Sequence, residues 1–214
     1  MTHMKLADWF FVTVLLMFAF GLRVLGISYG QPEPQYASST HPYQMLHDQT
    51  PMQPDEYISV GLPVEMLLKR RLNPNFFEYP SFIVNLNLAG LIVTDAAHDM
   101  SLQDRSGRSL REFAPFSLYV FSRMFSVLGG LLAVAAAYAV MRKVAGRYAA
   151  LSAGLLVATS FTLVQHAHYI KPGSLASGWM MVALWAGFAA LYARQPVWRR
   201  RMIVLAGLVT GLAV

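Results

Sequence analysis

Three residues of this chain are best suited to chemistry: the adjacent carboxylates Asp55 and Glu56 in Pro54-Asp55-Glu56-Tyr57, and a single arginine, Arg123, inside an apolar run. The acidic pair lies in a long polar stretch, after a hydrophobic run that ends near Ile27 and before one that begins near Ala114. Carboxylates held beside a membrane surface can act on molecules that do not leave it, such as lipid-linked substrates. One carboxylate can deprotonate an acceptor hydroxyl while the other orients it or binds a metal. The competing reading is structural: an aspartate just ahead of a helix caps the unpaired amides of its first turn, and its neighbour is solvated.

Arg123 sits about nine residues into its apolar run, roughly 13 Å along a helix axis. A guanidinium at that depth is costly unless paired. It could pair with Asp55, Glu56 or Glu78, hold a lipid phosphate bidentately, or snorkel to the surface. Arg23 lies near the end of the first run, where snorkelling is easy and a structural role is favoured. Lys69-Arg70-Arg71 could hold a phosphate, but basic interfacial segments more often meet anionic headgroups. His166 and His168, followed by Lys171-Pro172-Gly173, form an H-x-H pair whose rings stand about 200° apart on a helix, poor geometry for one metal ion. Lys171 is a cation available to a phosphate or to the interface. No Walker loop, Ser-His-Asp arrangement or zinc signature is present, so a divalent metal has no support from the residues.

The elements that must position these residues are membrane elements. Of the 214 residues, 56% are hydrophobic and 13% charged, and the mean hydropathy is positive. Soluble domains carry roughly 25% charged residues. Hydrophobic runs occupy Trp9–Ile27, Ala114–Met141, Tyr148–Val164, Leu175–Tyr192 and Met202 to the last residue. They predict an all-α polytopic membrane protein with about five transmembrane helices, since a crossing needs about 20 apolar residues. The fifth run stops short at Val214, which suggests a truncated chain. The formal net charge is +6, but the basic residues cluster between spans, where they serve topology, and nucleic-acid binding is disfavoured. There is no cysteine, hence no disulfide, thiolate ligand or thiol nucleophile. The first run lacks a cleavage site and reads as a retained anchor.

Two topologies compete, differing in whether Tyr79–Thr94 crosses. Without a crossing, the inside holds Lys5, Arg142, Lys143, Arg147, Arg194, Arg199, Arg200 and Arg201, with Lys171 alone in a short outer connection. With a crossing, the loop arginines move outside. The positive-inside rule selects the first arrangement. Residues 1–27 then hold the first span, 28–113 an outer loop, and 114–214 spans two to five. Within the loop, Gly61 and Pro63 predict an interruption, with Pro63 restarting an interfacial helix over Pro63–Leu72. Asn73-Pro74-Asn75 ends that helix and Glu78-Tyr79-Pro80 opens the next membrane-facing piece. Gly129-Gly130 and Ala133–Ala137 predict close helix packing.

The order of these features resembles a family. One span, an acidic pair in a long outer loop, Asn73-Pro74-Asn75-Phe76-Phe77-Glu78-Tyr79-Pro80, then Arg123 in the next span is similar to the GT-C membrane glycosyltransferases. Within these it resembles the dolichyl- or polyprenyl-phosphate-mannose protein mannosyltransferase and aminoarabinose transferase-like group. Val144-Ala145-Gly146-Arg147-Tyr148-Ala149-Ala150 and Leu205-Ala206-Gly207-Leu208-Val209-Thr210-Gly211-Leu212 have the same cadence. The resemblance covers the amino-terminal part of a typical member. It implies transfer of a sugar from a polyprenyl phosphate to a hydroxyl at the outer membrane face, with Asp55 as general base and Glu56 beside it. Glu78 and Tyr79 would lie in the loop approaching the lipid phosphate, and Arg123 would support the first outer loop; Lys171, read from its position alone, remains a candidate phosphate contact or an interfacial anchor. Gly173 stands where many members have an aspartate, and Tyr79 where some have a lysine, leaving metal use open. The implied partners are the polyprenyl-phosphate sugar donor and membrane lipids, with homo- or hetero-oligomers left open. The implied location is the plasma or inner membrane, multi-pass, with a cytoplasmic amino terminus. The rival from another class is a non-catalytic membrane subunit or lipid-binding module; a transporter is a weaker rival.

Overall fold

The computed structural model describes residues 6–30, 56–76, 81–98 and 115–213. Among the described residues the chain is all-helical and contains no strand. The helices are α1 (Leu6–Val24), α2 (Glu56–Leu68), α3 (Ser81–His98), α4 (Pro115–Val144), α5 (Gly146–Ala158), α6 (Phe161–Ala167), α7 (Pro172–Leu191) and α8 (Pro196–Ala213). Two of them, α4 over Tyr119–Val144 and α7, are long and apolar enough to cross a membrane. The bent pair α5 and α6 makes a third if it is one broken span.

The chain divides into two compact units. The first comprises Met1–Gly26, Ser126–His168 and Gly173–Val214. Its core gathers Leu15 and Ala19 of α1, Val134 and Tyr138 of α4, and Ala150 and Ala158 of α5, pairs four or eight residues apart that share a helix face. Helices approach closely where glycine permits it. A Cβ on Gly129 would lie 2.5 Å from the Ser174 carbonyl oxygen, and one on Gly178 would lie 2.4 Å from that of Gly129, so the predicted packing at Gly129 is against α7. Polarity is inverted relative to a water-soluble domain. On α1, Trp9, Phe10 and Met17 are 58%, 64% and 69% exposed while Asp8 and Arg23 are fully buried. Apolar surface outward and charge inward is the pattern of a chain surrounded by lipid.

The hydrophobic run Tyr148–Val164, expected as one helix, is two. The pair α5 and α6 is bent by 53° at Thr159-Ser160. Ser160 adopts an extended conformation (φ −56°, ψ 115°), and the Thr159 hydroxyl donates back to the Leu155 carbonyl at 2.9 Å, a local bond that competes with the helix ladder. The break frees the last carbonyls of α5, and Arg23 takes them. Its Nη1 donates to Ala158 O and Ala19 O, each at 3.0 Å, and its Nη2 to Val157 O at 3.3 Å. Arg23 is structural, as expected, but it does so buried instead of snorkelling. Gly130 makes room, since a Cβ there would meet Arg23 Nε at 2.4 Å.

The second unit comprises Ile27–Phe125 and Tyr169–Pro172. Val60, Leu62, Val64 and Met66 of α2 and Ile83, Val84, Leu88 and Leu91 of α3 form its buried apolar set, with Tyr119 of α4. Against the expected interruption, α2 runs unbroken from Glu56 to Leu68 with Pro63 inside it. Proline has no N–H to give the carbonyl four residues earlier, which here is Ser59. The Asn87 side-chain amide donates to that carbonyl at 2.9 Å, and Asn87 Oδ1 accepts from Ser122 Oγ at 2.9 Å. An interhelical side chain therefore replaces the missing ladder bond, and the helix continues. It ends at Arg70, whose φ of 49° accompanies bonds from Arg71 N to Met66 O and Arg70 N to Leu67 O, a Schellman closure. Lys69 and Arg71 both pair with Glu65. Beyond it, Asn75 N donates to Asn73 Oδ1 at 2.9 Å and Asn75 takes φ 53°, so Asn73-Pro74-Asn75 is a side-chain-closed turn.

Asn87→Ala should cost about 1–3 kcal/mol, because the Ser59 carbonyl is then buried without a donor. Adding Pro63→Ala should recover part of the loss by returning the backbone N–H. Unfolding of the single and double variants in detergent micelles measures this, and equal stabilities would contradict the account.

Candidate functional site

The site is built on the first turn of α2 and the third turn of α4. Arg123 and Glu56 face each other, both fully buried. Arg123 Nε donates to Glu56 Oε1 at 3.0 Å and Nη2 to Glu56 Oε2 at 2.9 Å, a bidentate fork that matches the planar carboxylate. Arg123 Nη1 donates to Ile27 O at 2.6 Å and Tyr29 O at 2.8 Å. Glu56 Oε1 also accepts the backbone N–H of Ile170 at 2.8 Å. Glu56, one of the three acidic partners open to Arg123 by sequence, meets it; Asp55 and Glu78 lie outside the described residues. Four of its five N–H groups are occupied within the protein.

This arrangement fastens chain segments far apart in sequence. The residues following α1, the start of α2, the amino-terminal part of α4 and the Tyr169–Pro172 segment meet on one ion pair. Among the described residues Glu56 is fully buried and both of its carboxylate oxygens accept N–H donors. Asp55 immediately precedes the first residue of α2 and lies outside the described residues, as do Glu78 and Tyr79. Lys171 follows Ile170 and is half-buried; the structure brings its backbone into the same unit as Glu56 and Arg123. One helical turn before Arg123, the buried Tyr119 hydroxyl has no hydrogen-bond partner among the described residues.

His168 is not arranged as a metal ligand. Its Nδ1 lies 2.8 Å from Val164 O and its Nε2 2.8 Å from Leu25 O, so both ring nitrogens face backbone carbonyls. Among the described residues no group of three or more His, Asp or Glu side chains converges on a metal position.

Sequence reasoning passed over Asp8, Asn87 and Ser122. Asp8 is fully buried and accepts from Arg142 Nε and Nη2 at 3.2 and 3.1 Å and from Arg147 Nε at 2.9 Å. Asp8 stands just before the Trp9–Ile27 run, so the rule that singles out Arg123, a charge within an apolar run, does not reach it. Asn87 is a polar side chain within the apolar Ser81–Val93 stretch, which carries the same signal.

No protein-family model, curated protein or solved structure matches this chain.

Removing one member of a buried ion pair leaves the other unneutralised, at a cost of about 3–5 kcal/mol. Arg123→Leu should therefore sharply lower the folded fraction in membranes. Combining it with Glu56→Leu should restore a measurable part. A double variant no more stable than Arg123→Leu would show that the Ile27 and Tyr29 carbonyls, not the charge pair, dominate.

Proposed function

We propose that this chain carries the outer catalytic loop of a membrane glycosyltransferase that moves a sugar from a polyprenyl-phosphate donor to a hydroxyl acceptor, with Asp55 as general base. The observation that carries the reading is the saturated Glu56–Arg123 pair. A fully bonded glutamate at the first turn of α2 anchors the backbone next to Asp55, which is what a base needs to hold a fixed distance from a substrate hydroxyl. The resemblance in the order of acidic pair, Asn73–Pro80 segment and intramembrane arginine gives that base its reaction.

In this reading the Asp55 carboxylate takes the proton of the acceptor hydroxyl as its oxygen attacks the anomeric carbon. The bond from that carbon to the phosphate oxygen breaks on the opposite face. Polyprenyl phosphate departs with the electron pair and the configuration inverts. A phosphate leaves without a proton donor where cations balance its charge, and Lys171, close in sequence to the amide that binds Glu56, is the candidate cation. Glu78 and Tyr79 belong to the donor-facing loop. Arg123 acts through Glu56 and the Ile27 and Tyr29 carbonyls, as a positioning residue.

The finer topology belongs to the same proposal: five spans, α2 and α3 on the outer side, the amino terminus inside. Its support lies in the first unit. Asp8 at the start of α1 binds Arg142 at the end of α4 and Arg147 at the start of α5. His168 after α6 meets Leu25 after α1. Helices α1, α4 and the α5–α6 pair thus alternate in direction, with the basic connection beside the amino-terminal end of α1, as the positive-inside rule requires.

Asp55→Asn in the full gene product should reduce sugar transfer from a polyprenyl-phosphate donor by about 10²–10⁴-fold, with an unchanged amount of protein in the membrane. Equal transfer rates would remove Asp55 as base and favour the rival of a non-catalytic lipid-binding subunit.

A further inference from the structure

We propose that Arg142 and Arg147, held by Asp8, form a binding site for the phosphodiester headgroup of an anionic phospholipid. Both arginines donate an Nε–H to the same oxygen, Asp8 Oδ1, at 3.2 and 2.9 Å. Two guanidinium groups therefore converge on one atom, with a single carboxylate between them. Asp8 is fully buried, whereas the two arginine side chains are 30% and 33% exposed. The inner edge of each guanidinium is spent on Asp8 and its outer edge reaches the surface. Arg147 is further held by stacking over the Phe11 ring at 5.6 Å. Among the described residues two guanidinium groups share one carboxylate, and their planar forks suit phosphate oxygens.

The surroundings choose the source of the phosphate. Trp9, beside Asp8, is 58% exposed, and Tyr148, beside Arg147, is 85% exposed. Aromatic side chains with one polar edge mark headgroup depth in a bilayer. A basic notch at that depth, between helix ends, meets lipid headgroups before it meets soluble phosphate. The proposal requires membrane insertion but not the transferase reading.

The test uses the full chain in detergent micelles, titrated with phosphatidylglycerol, phosphatidylcholine or inorganic phosphate. Bound adducts are counted by native mass spectrometry and folding is followed by circular dichroism. Phosphatidylglycerol should be retained about tenfold more than phosphatidylcholine: both offer the phosphodiester, but the fixed positive charge of choline is repelled by the two guanidinium groups. Arg147→Gln should bring the ratio close to one, and Arg194→Gln, outside the cluster, should leave it unchanged. Arg142→Gln serves as the second cluster variant if Arg147→Gln does not fold. No preference in the native chain, a preference that survives both cluster substitutions, or displacement of the lipid by equimolar inorganic phosphate would each overturn the proposal.

Discussion

At four places among the described residues, backbone carbonyls outside the regular helix ladder are met by a side chain from elsewhere in the sequence. In lipid or a dry core an unsatisfied carbonyl costs several kcal/mol, so these assignments are obligatory. Asn87 serves the Ser59 carbonyl that Pro63 abandons. Arg23 serves Val157 and Ala158 where α5 stops. Arg123 serves Ile27 and Tyr29, and His168 faces Leu25. Arg23, Asn87 and Arg123, three of the polar residues buried in the apolar sequence, each answer an identifiable set of backbone carbonyls.

Carbonyl oxygens are only partial charges, so arginines used this way still need an anion or a compensating environment. The two arginines solve this differently. Arg123 has Glu56, with both carboxylate oxygens engaged. Arg23 spreads over three carbonyls and has no carboxylate among its hydrogen-bond partners. Its Nε remains without a partner. The first arrangement adds orientation to neutralisation, because a bidentate fork fixes both planes. The proposed function therefore draws on the Glu56–Arg123 pair and not on Arg23.

Hydropathy made the apolar helices legible: α4 and α7 fall on their expected runs, and the Arg142–Arg147 connection falls between helices. What it could not convey was continuity. Thr159-Ser160 looks innocuous inside Tyr148–Val164 because neither residue is a strong breaker. Pro63 looks like a boundary because its rescue by Asn87 comes from another helix. Both depend on a long-range donor or acceptor that local pattern does not encode. Arg123 was conspicuous as a lone charge, but choosing Glu56 over Asp55 and Glu78 required knowing that α2 begins at Glu56 and turns that side chain inward. Asp8 escaped notice for lying at the edge of its run, where a charge looks solvated until two arginines are found around it.

The adjacent residues Asp55 and Glu56 illustrate how one acidic pair can divide its labour. If both carboxylates served chemistry, each would need access to substrate, and neither could be enclosed. Here Glu56 is enclosed, its two oxygens taking three N–H donors from two segments. A carboxylate held this way is committed to the Arg123 fork and the Ile170 amide. On the proposed function, acid–base work would fall to Asp55 and Glu56 would be its fixed neighbour in sequence. Arg123 would then act at a distance, through the glutamate it holds.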